Sequence, residues 1–397
     1  MAAVAFSGPA PTRGMTSWPV MTWTEAGVSR SARWRSESGL SPPARVVIAD
    51  DQITADDAYR LACEGTALLW RGDFQNARQL LQAIARRSGA RPARKSRKGA
   101  TPQPVALSAA FHLHRQAQAQ RARILAMLVL PFDATHVIPL RRAPDARQAC
   151  LEAYGPAAEP YVAPLRELLG VIGAHEWRLK GVEIPALGAR IHPHYAVFAP
   201  IRSEYVDLVA AEQLPVPIPA LAFDIGTGTG VLAAVLARRG IARVIATEME
   251  PRALKCAGDN IARLHLARVV EVIKADLFPP GRAALVVCNP PWLPARPSST
   301  LEHAIYDPGS RMLRAFVAGL RDHLSPDGEG WLLLSDLAER LELRTREELT
   351  ATFAQGGLKV TGRTDVRPVH PRVFDTSDPL HAARSAEITS LWRLAVE

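Results

Sequence analysis

From about Trp177 onward, short apolar runs alternate with longer amphipathic ones. The runs Leu221–Ile225, Val244–Thr247, Val269–Ala275, Ala284–Cys288 and Gly330–Ser335 are dense in aliphatic and β-branched residues and predict buried strands. Between them, Gly230–Arg239, Pro251–Leu264 and Arg311–Leu324 place apolar residues at helical intervals. Pro251 suits the first turn of its helix, where no backbone N–H is needed. Leu341–Phe353 predicts a further helix, and Lys359–Asp365 and Glu387–Leu394 the last two strands. No helix separates those two, so they are expected to pair antiparallel. The alternation predicts an α/β fold: a mostly parallel, seven-stranded sheet with helices on both faces.

The N-terminal half has a different texture. Residues 1–45, rich in Ser, Pro, Ala, Arg and Trp, are expected to form a flexible extension. Residues 46–170 are expected to form a mainly helical domain. Within them, Ala67–Arg87 spaces Leu69, Phe74, Leu80, Leu81 and Ile84 at helix-like intervals, and Ala109–Leu130 forms a second such stretch that Pro131 stops. The segment 86–104 holds Arg86, Arg87, Arg91, Arg94, Lys95, Arg97 and Lys98 among Gly, Pro and Ser. It cannot build a core and reads as a basic linker or a phosphate-binding arm. Residues 171–215 should supply a hairpin about Gly188 and a connecting helix, and residues 216–397 the alternating domain.

Composition narrows the class. Hydrophobic residues make up 48% and charged residues 22% of the 397, as in globular chains. The net charge of +9 favours an acidic partner such as RNA or DNA. Cys63, Cys150, Cys256 and Cys288 form no C-x-x-C pair, which suits a reducing, cytoplasmic setting better than a zinc site or a disulfide framework. The pairs His112/His114 and His192/His194 lack a third ligand, so no metal is expected. No apolar stretch approaches the length of a membrane span.

The strongest local signal is A-F-D-I-G-T-G-T-G-V-L-A, from Ala222 to Ala233. A strand runs into Asp224, then Gly226, Thr227, Gly228 and Gly230, then a helix. Glycines let backbone turn tightly and approach a ligand closely. The acid ahead of the first glycine argues against a pyrophosphate and for a ligand carrying positive charge, which fits the sulfonium and amino group of S-adenosylmethionine. Glu248 ends the next strand, roughly 20 residues past the loop, where such folds place a ribose-binding acid; Glu250 competes for the role. Asp276 follows the third strand at the same edge of the sheet and suits the adenine amino group, with Leu277 beside the ring.

The segment Asn289-Pro290-Pro291-Trp292 follows the fourth strand and defines the chemistry. A planar amide or amine nitrogen is a poor nucleophile because its lone pair is delocalised. The Asn289 side-chain oxygen and the Pro290 carbonyl can each accept one N–H, which aims the nitrogen. Two prolines stiffen the turn, and Trp292 offers a flat face for a planar target. This is catalysis by positioning and electrostatics.

With these motifs in place, residues from about 180 to 395 resemble the class I S-adenosylmethionine-dependent methyltransferases with an N-P-P-[YFW] motif. The likeness is greatest to small-domain methyltransferases, including the N5-glutamine methyltransferases of release factors and ribosomal protein L3. Asp224–Gly230 match their D-x-G-T-G-S-G. Glu248, ahead of Pro251, Ala253 and Leu254, matches their acid before S-x-x-A-L. Ala275–Phe278 match their G-D-L-F. Their charged segment before the glycine loop is matched by Arg202, Glu204 and Asp207, which makes Arg202, Glu204 and Trp292 substrate-side candidates. The resemblance implies a Rossmann-like methyltransferase domain and transfer to a macromolecule, either a glutamine of a translation protein or an adenine N6 or guanine N2 of RNA or DNA. An inactive methyltransferase fold serving as a binding module is the reading from another class, and the intact Asp224, Glu248, Asp276 and Asn289 speak against it. The chain departs from the family in having Trp292 where tyrosine is usual, in a long segment Arg367–Ser385, and in an N-terminal half unlike the release-factor-binding domain.

Overall fold

The computed structural model describes residues 18–89, 106–297, 302, 304–369 and 371–397. These fall into two compact units: Met1–Pro104 with Leu113–Glu176, and Val105–His112 with Trp177–Glu397. Most of the expected basic tract, from residue 90 on, and residues 1–17 of the expected extension lie outside the described residues.

In the first unit the strands are β1 (Val20–Glu25), β2 (Val28–Trp34), β3 (Arg45–Ala49), β4 (Thr66–Trp70), β5 (Leu128–Phe132) and β6 (Tyr161–Pro164). The helices are α1 (Ala55–Cys63), α2 (Phe74–Gly89), α3 (Leu107–Ala126), α4 (Arg147–Tyr154) and α5 (Leu165–Lys180), of which α3 and α5 extend into the second unit's residues. Among the described residues the strands form one mixed six-stranded sheet in the order β1-β2-β6-β5-β4-β3.

This corrects the expectation of a mainly helical domain after a flexible extension. In β1, buried Met21 and Trp23 alternate with exposed neighbours, a period-2 signal in the stretch read as an extension. Every residue of β4 and β5 is buried. A short strand buried on both faces has no periodicity to separate it from an adjoining helix. Ala67–Trp70 and Leu128–Leu130 therefore carry no pattern of their own that marks them off from the helices they adjoin in sequence.

The unit's core holds a buried histidine, His136, which is 4% exposed. Its Nε2 lies 3.0 Å from the Gly155 carbonyl, which can only accept, so Nε2 carries the proton. Nδ1, 2.9 Å from the Tyr161 hydroxyl, then accepts. Burial holds this imidazole below its ordinary 6.5, aided by Arg35 and opposed by the Gly155 bond and Asp133. The neutral form is favoured in the fold, so stability is full above pH 6.5 and lost as pH falls below it. Urea unfolding should show this loss in the wild type and less of it in His136→Gln; an equal pH dependence in both would refute the assignment.

The second unit opens with a hairpin, β7 (Val182–Ile184) against β8 (Ala189–Ile191), turning through Gly188 at φ +58°. Then come α6 (Glu204–Ala211), β9 (Leu221–Ile225), α7 (Val231–Arg238), β10 (Arg243–Glu248), α8 (Pro251–Arg263), β11 (Val270–Lys274) and β12 (Ala283–Cys288). After these follow α9 (Arg311–His323), β13 (Leu324–Ser335), α10 (Leu337–Arg340), α11 (Arg346–Gln355), β14 (Leu358–Val366), α12 (His381–Ser385) and β15 (Thr389–Val396).

The sheet order is β11-β10-β9-β12-β13-β15-β14, seven strands among the described residues. The pairs from β11 to β13 are parallel, and β15 runs antiparallel to both β13 and β14. Alternation along each strand feeds two cores. Ala222, Val244, Leu285 and Leu333 pack with α6 and α7, while Phe223, Ile245, Val286 and Leu332 pack with α9 and α11. The chain reverses strand order between β9 and β12, so the carboxyl ends of these two parallel strands border the crevice where open α/β sheets bind ligands.

Candidate active site

Register alone brings the two main motifs together. Cys288 of β12 pairs with Ile225 of β9, so Asn289 and Gly226 leave neighbouring strands side by side. Adjacent strands lie about 5 Å apart. On the other flank of β9, Thr247 pairs with Ile225, which sets Glu248 beside the same turn.

The glycine turn is shaped from beneath by Asp224. Its side chain is 1% exposed, and one carboxylate oxygen accepts from the Thr227 hydroxyl at 2.5 Å and the Ala233 N–H at 3.0 Å. Thr227 is itself buried, and its N–H reaches the Thr247 carbonyl at 2.9 Å. Asp224 and Thr227 thus hold the loop to the first turn of α7, and neither is displayed to a ligand as the sequence suggested. Burial pushes the Asp224 carboxyl up to about 6 despite both bonds, with the Glu248 charge adding to the rise.

Gly228 sits at φ +57°, and a Cβ built there meets nothing within 4 Å. Backbone is therefore bare toward open space at this point. A Cβ on Gly226, at φ +71°, would come within 2.7 Å of Met312 Cε. Glu248 is half-buried and accepts from the N–H groups of Gly228 (3.1 Å), Met249 (2.9 Å) and Glu250 (3.1 Å). Its rival Glu250 caps α8 instead, accepting from Arg252 and Ala253 N–H groups. Asp276 is exposed past the end of β11. Leu277, at φ +65°, packs partly on the α9 side of the sheet, and its carbonyl takes the Thr247 hydroxyl at 2.5 Å. A bare backbone turn, a half-buried carboxylate on one side and an exposed one beyond it fit S-adenosylmethionine: an open cradle with acids for hydroxyl and amino donors.

On the acceptor side, Asn289 is half-buried and its Oδ1 takes the Trp292 indole N–H at 2.9 Å. The Arg202 guanidinium lies 5.9 Å from the Trp292 ring centre and donates to Glu387 Oε2 at 3.1 Å. Glu387, whose side chain is fully buried, also accepts the Ser335 hydroxyl at 2.6 Å. Beyond Trp292, Leu293 bridges to Tyr306, and Asp307 accepts from the Met312 and Leu313 N–H groups at the start of α9. Asp307 thereby ties the segment after Trp292 to the first turn of α9.

Glu204 does not join this group as a displayed residue. It is 8% exposed and accepts the Val369 N–H, so it ties down the segment after β14. Sequence reasoning missed Glu387 and Ser335, which are 52 positions apart and meet only at the carboxyl end of β13. Among the described residues no His, Cys, Asp or Glu cluster could hold a metal ion, and no helix is long and apolar enough to cross a membrane.

Residues 189–355 match the methyltransferase small domain family. Over 123 residues the chain is 37% identical to a release factor glutamine methyltransferase of Cereibacter sphaeroides, covering 28% of this chain and 44% of that one. Over 136 residues it is 29% identical to a tRNA1(Val) (adenine(37)-N6)-methyltransferase of Bacteroides thetaiotaomicron, covering 31% and 56%. A crystal structure of a methyltransferase from Pyrococcus furiosus superposes with a TM-score of 0.39 at 18% identity, covering 58% of this chain and 99% of that one. The chain spans less than half the length of the release factor relative. The segment 189–355, with its glycine turn, strand-end acids and parallel sheet, is thus similar to the methyltransferase small domain family and consistent with a class I S-adenosylmethionine-dependent methyltransferase.

Proposed function

We propose that this protein is an N-methyltransferase acting on a planar amide or amine nitrogen of a macromolecule. One observation carries the reading: the Cys288–Ile225 register, which sets Asn289 beside the glycine turn. Glu248, Asp276, Leu277 and the turn from Gly226 to Gly230 would hold S-adenosylmethionine, which supplies an electrophilic methyl group when bound. Asn289 Oδ1 and the Pro290 carbonyl each accept an N–H of the target and turn its lone pair toward the donor side. The two prolines keep that carbonyl from rotating away. The gain comes from orientation and from fixed dipoles that need no rearrangement during reaction.

The favoured acceptor is a side-chain amide of a protein involved in translation, in line with the relatives named for glutamine methylation. The net charge of +9 favours a second reading, a nucleic-acid base, and one relative is named for adenine N6 of tRNA. Transfer of tritium from methyl-labelled S-adenosylmethionine into a lysate of a strain lacking the gene decides between them. Release of label by protease alone supports the amide, and release by nuclease supports the base. No incorporation would defeat the N-methyltransferase reading altogether.

A further inference from the structure

Asn and Gln amides present oxygen and nitrogen at nearly the same place, so an isolated Asn289 would have two orientations of similar shape, only one of them useful. The indole N–H of Trp292 breaks that tie. It can only donate, so the group facing it at 2.9 Å must be the amide oxygen. A carbonyl oxygen has two lone pairs, and the second stays available for an incoming N–H. Phenylalanine offers no donor at this position. Tyrosine carries its hydroxyl at the far end of the ring.

The indole is itself held. Arg202 lies 5.9 Å from the ring centre, within cation–π range. Its guanidinium is bonded to Glu387, whose second oxygen takes the Ser335 hydroxyl, and that hydroxyl accepts the Leu337 N–H at 3.0 Å. The chain of contacts runs from the end of β13, through the start of β15 and the segment before α6, to the loop after β12. A fully buried carboxylate at its middle makes it stiff, because such a group keeps its bonding partners or costs free energy.

We propose that Trp292 is a positioning residue that fixes the orientation of the Asn289 amide, and that Arg202 and Glu387 are positioning residues that fix Trp292. This rests on the N-methyltransferase reading and adds to it a role for the indole N–H beyond a stacking surface. The decisive variant is Trp292→Phe, which keeps a flat ring and removes the donor. Two measurements on the full chain test it. In the nitrogen-15 spectrum, the Trp292 indole signal, identified by its loss in Trp292→Phe, should move in Asn289→Ala and shift again in Glu387→Gln. In the lysate assay with tritiated S-adenosylmethionine, Trp292→Phe should lower the maximal rate roughly tenfold or more. The half-saturating lysate concentration should change less than about threefold.

An indole signal unmoved by Asn289→Ala would show that the bond is absent and overturn the proposal. A maximal rate for Trp292→Phe equal to wild type would overturn the positioning role while leaving the N-methyltransferase reading intact. A loss seen only in half-saturation would assign Trp292 to stacking alone. Absence of transfer by the wild type would remove the N-methyltransferase reading, and this role with it.

Discussion

Asn289→Ala should reduce methyl transfer by about 10²–10³-fold, the size expected when a preorganised partner of the reacting group is deleted. S-adenosylmethionine binding should stay within about twofold of wild type, because the loss falls on the reacting complex rather than on ground-state binding. The structure separates the two roles. The Asn289 side-chain oxygen bonds to Trp292, while the glycine turn is held by Asp224 of β9 itself and by Glu248 on the other flank of β9. Glu248→Ala is the counterpart: it leaves three backbone N–H groups without their acceptor and should weaken cofactor binding at least tenfold, by about 1.4 kcal/mol or more. Calorimetric titration with S-adenosylmethionine reads both. Equal loss of binding in the two variants would contradict this division of labour.

The second large effect is expected at Asp224. Asp224→Ala removes the oxygen that holds both the Thr227 hydroxyl and the Ala233 N–H, and it opens space under the turn. Two buried donors left unpaired cost about 1–3 kcal/mol each. Some of that is offset. A carboxyl raised from 3.8 to about 6 opposes folding at neutral pH by about 3 kcal/mol. Because the folded value is raised, the stability this group contributes is fully present below pH 3.8 and is lost as pH rises through 6. Asp224→Asn keeps an oxygen for both donors and sheds the charge. It should therefore lie within about 1–2 kcal/mol of wild type at pH 7.5 and show a flatter pH dependence between 4 and 6. Urea unfolding across that range checks it; a wild-type slope in Asp224→Asn would rule out a raised carboxyl. The sign is opposite to that at His136, so the difference between each variant and the wild type is the quantity to compare.

The fit of S-adenosylmethionine to this site rests on backbone more than on side chains. Gly228 presents bare main chain to open space, and Glu248 stands beside it with its oxygens on main-chain N–H groups. A β-carbon at Gly228 would project into the open space where the proposed site would hold its ligand, and φ +57° is a conformation other residues adopt at a cost.

What the sequence determined by itself was local order and its repetition. The period-2 and period-3.6 patterns beyond Trp177 specify strands and helices because burial on a sheet face or a helix stripe demands them. The glycines from Gly226 to Gly230 specify a turn because other residues resist positive φ. The N-P-P-W segment carries, within four residues, the acceptors and stiffness on which the proposed chemistry rests. Tertiary structure decided whatever depends on which strands become neighbours. The β9–β12 pairing, between segments some 60 residues apart, seats Asn289 at the glycine turn. The same long-range folding buries Asp224 and Glu204 and makes them tie down loops, although the glycine motif marked Asp224, and the family resemblance Glu204, as ligand contacts. It brings Glu387 to Arg202 across 185 positions. It also turns Ala67–Trp70 and Leu128–Phe132 into the centre of a sheet. In each case the side chain's role follows from burial and from its partner's position, and those are properties of the packed chain that no window of neighbouring residues contains.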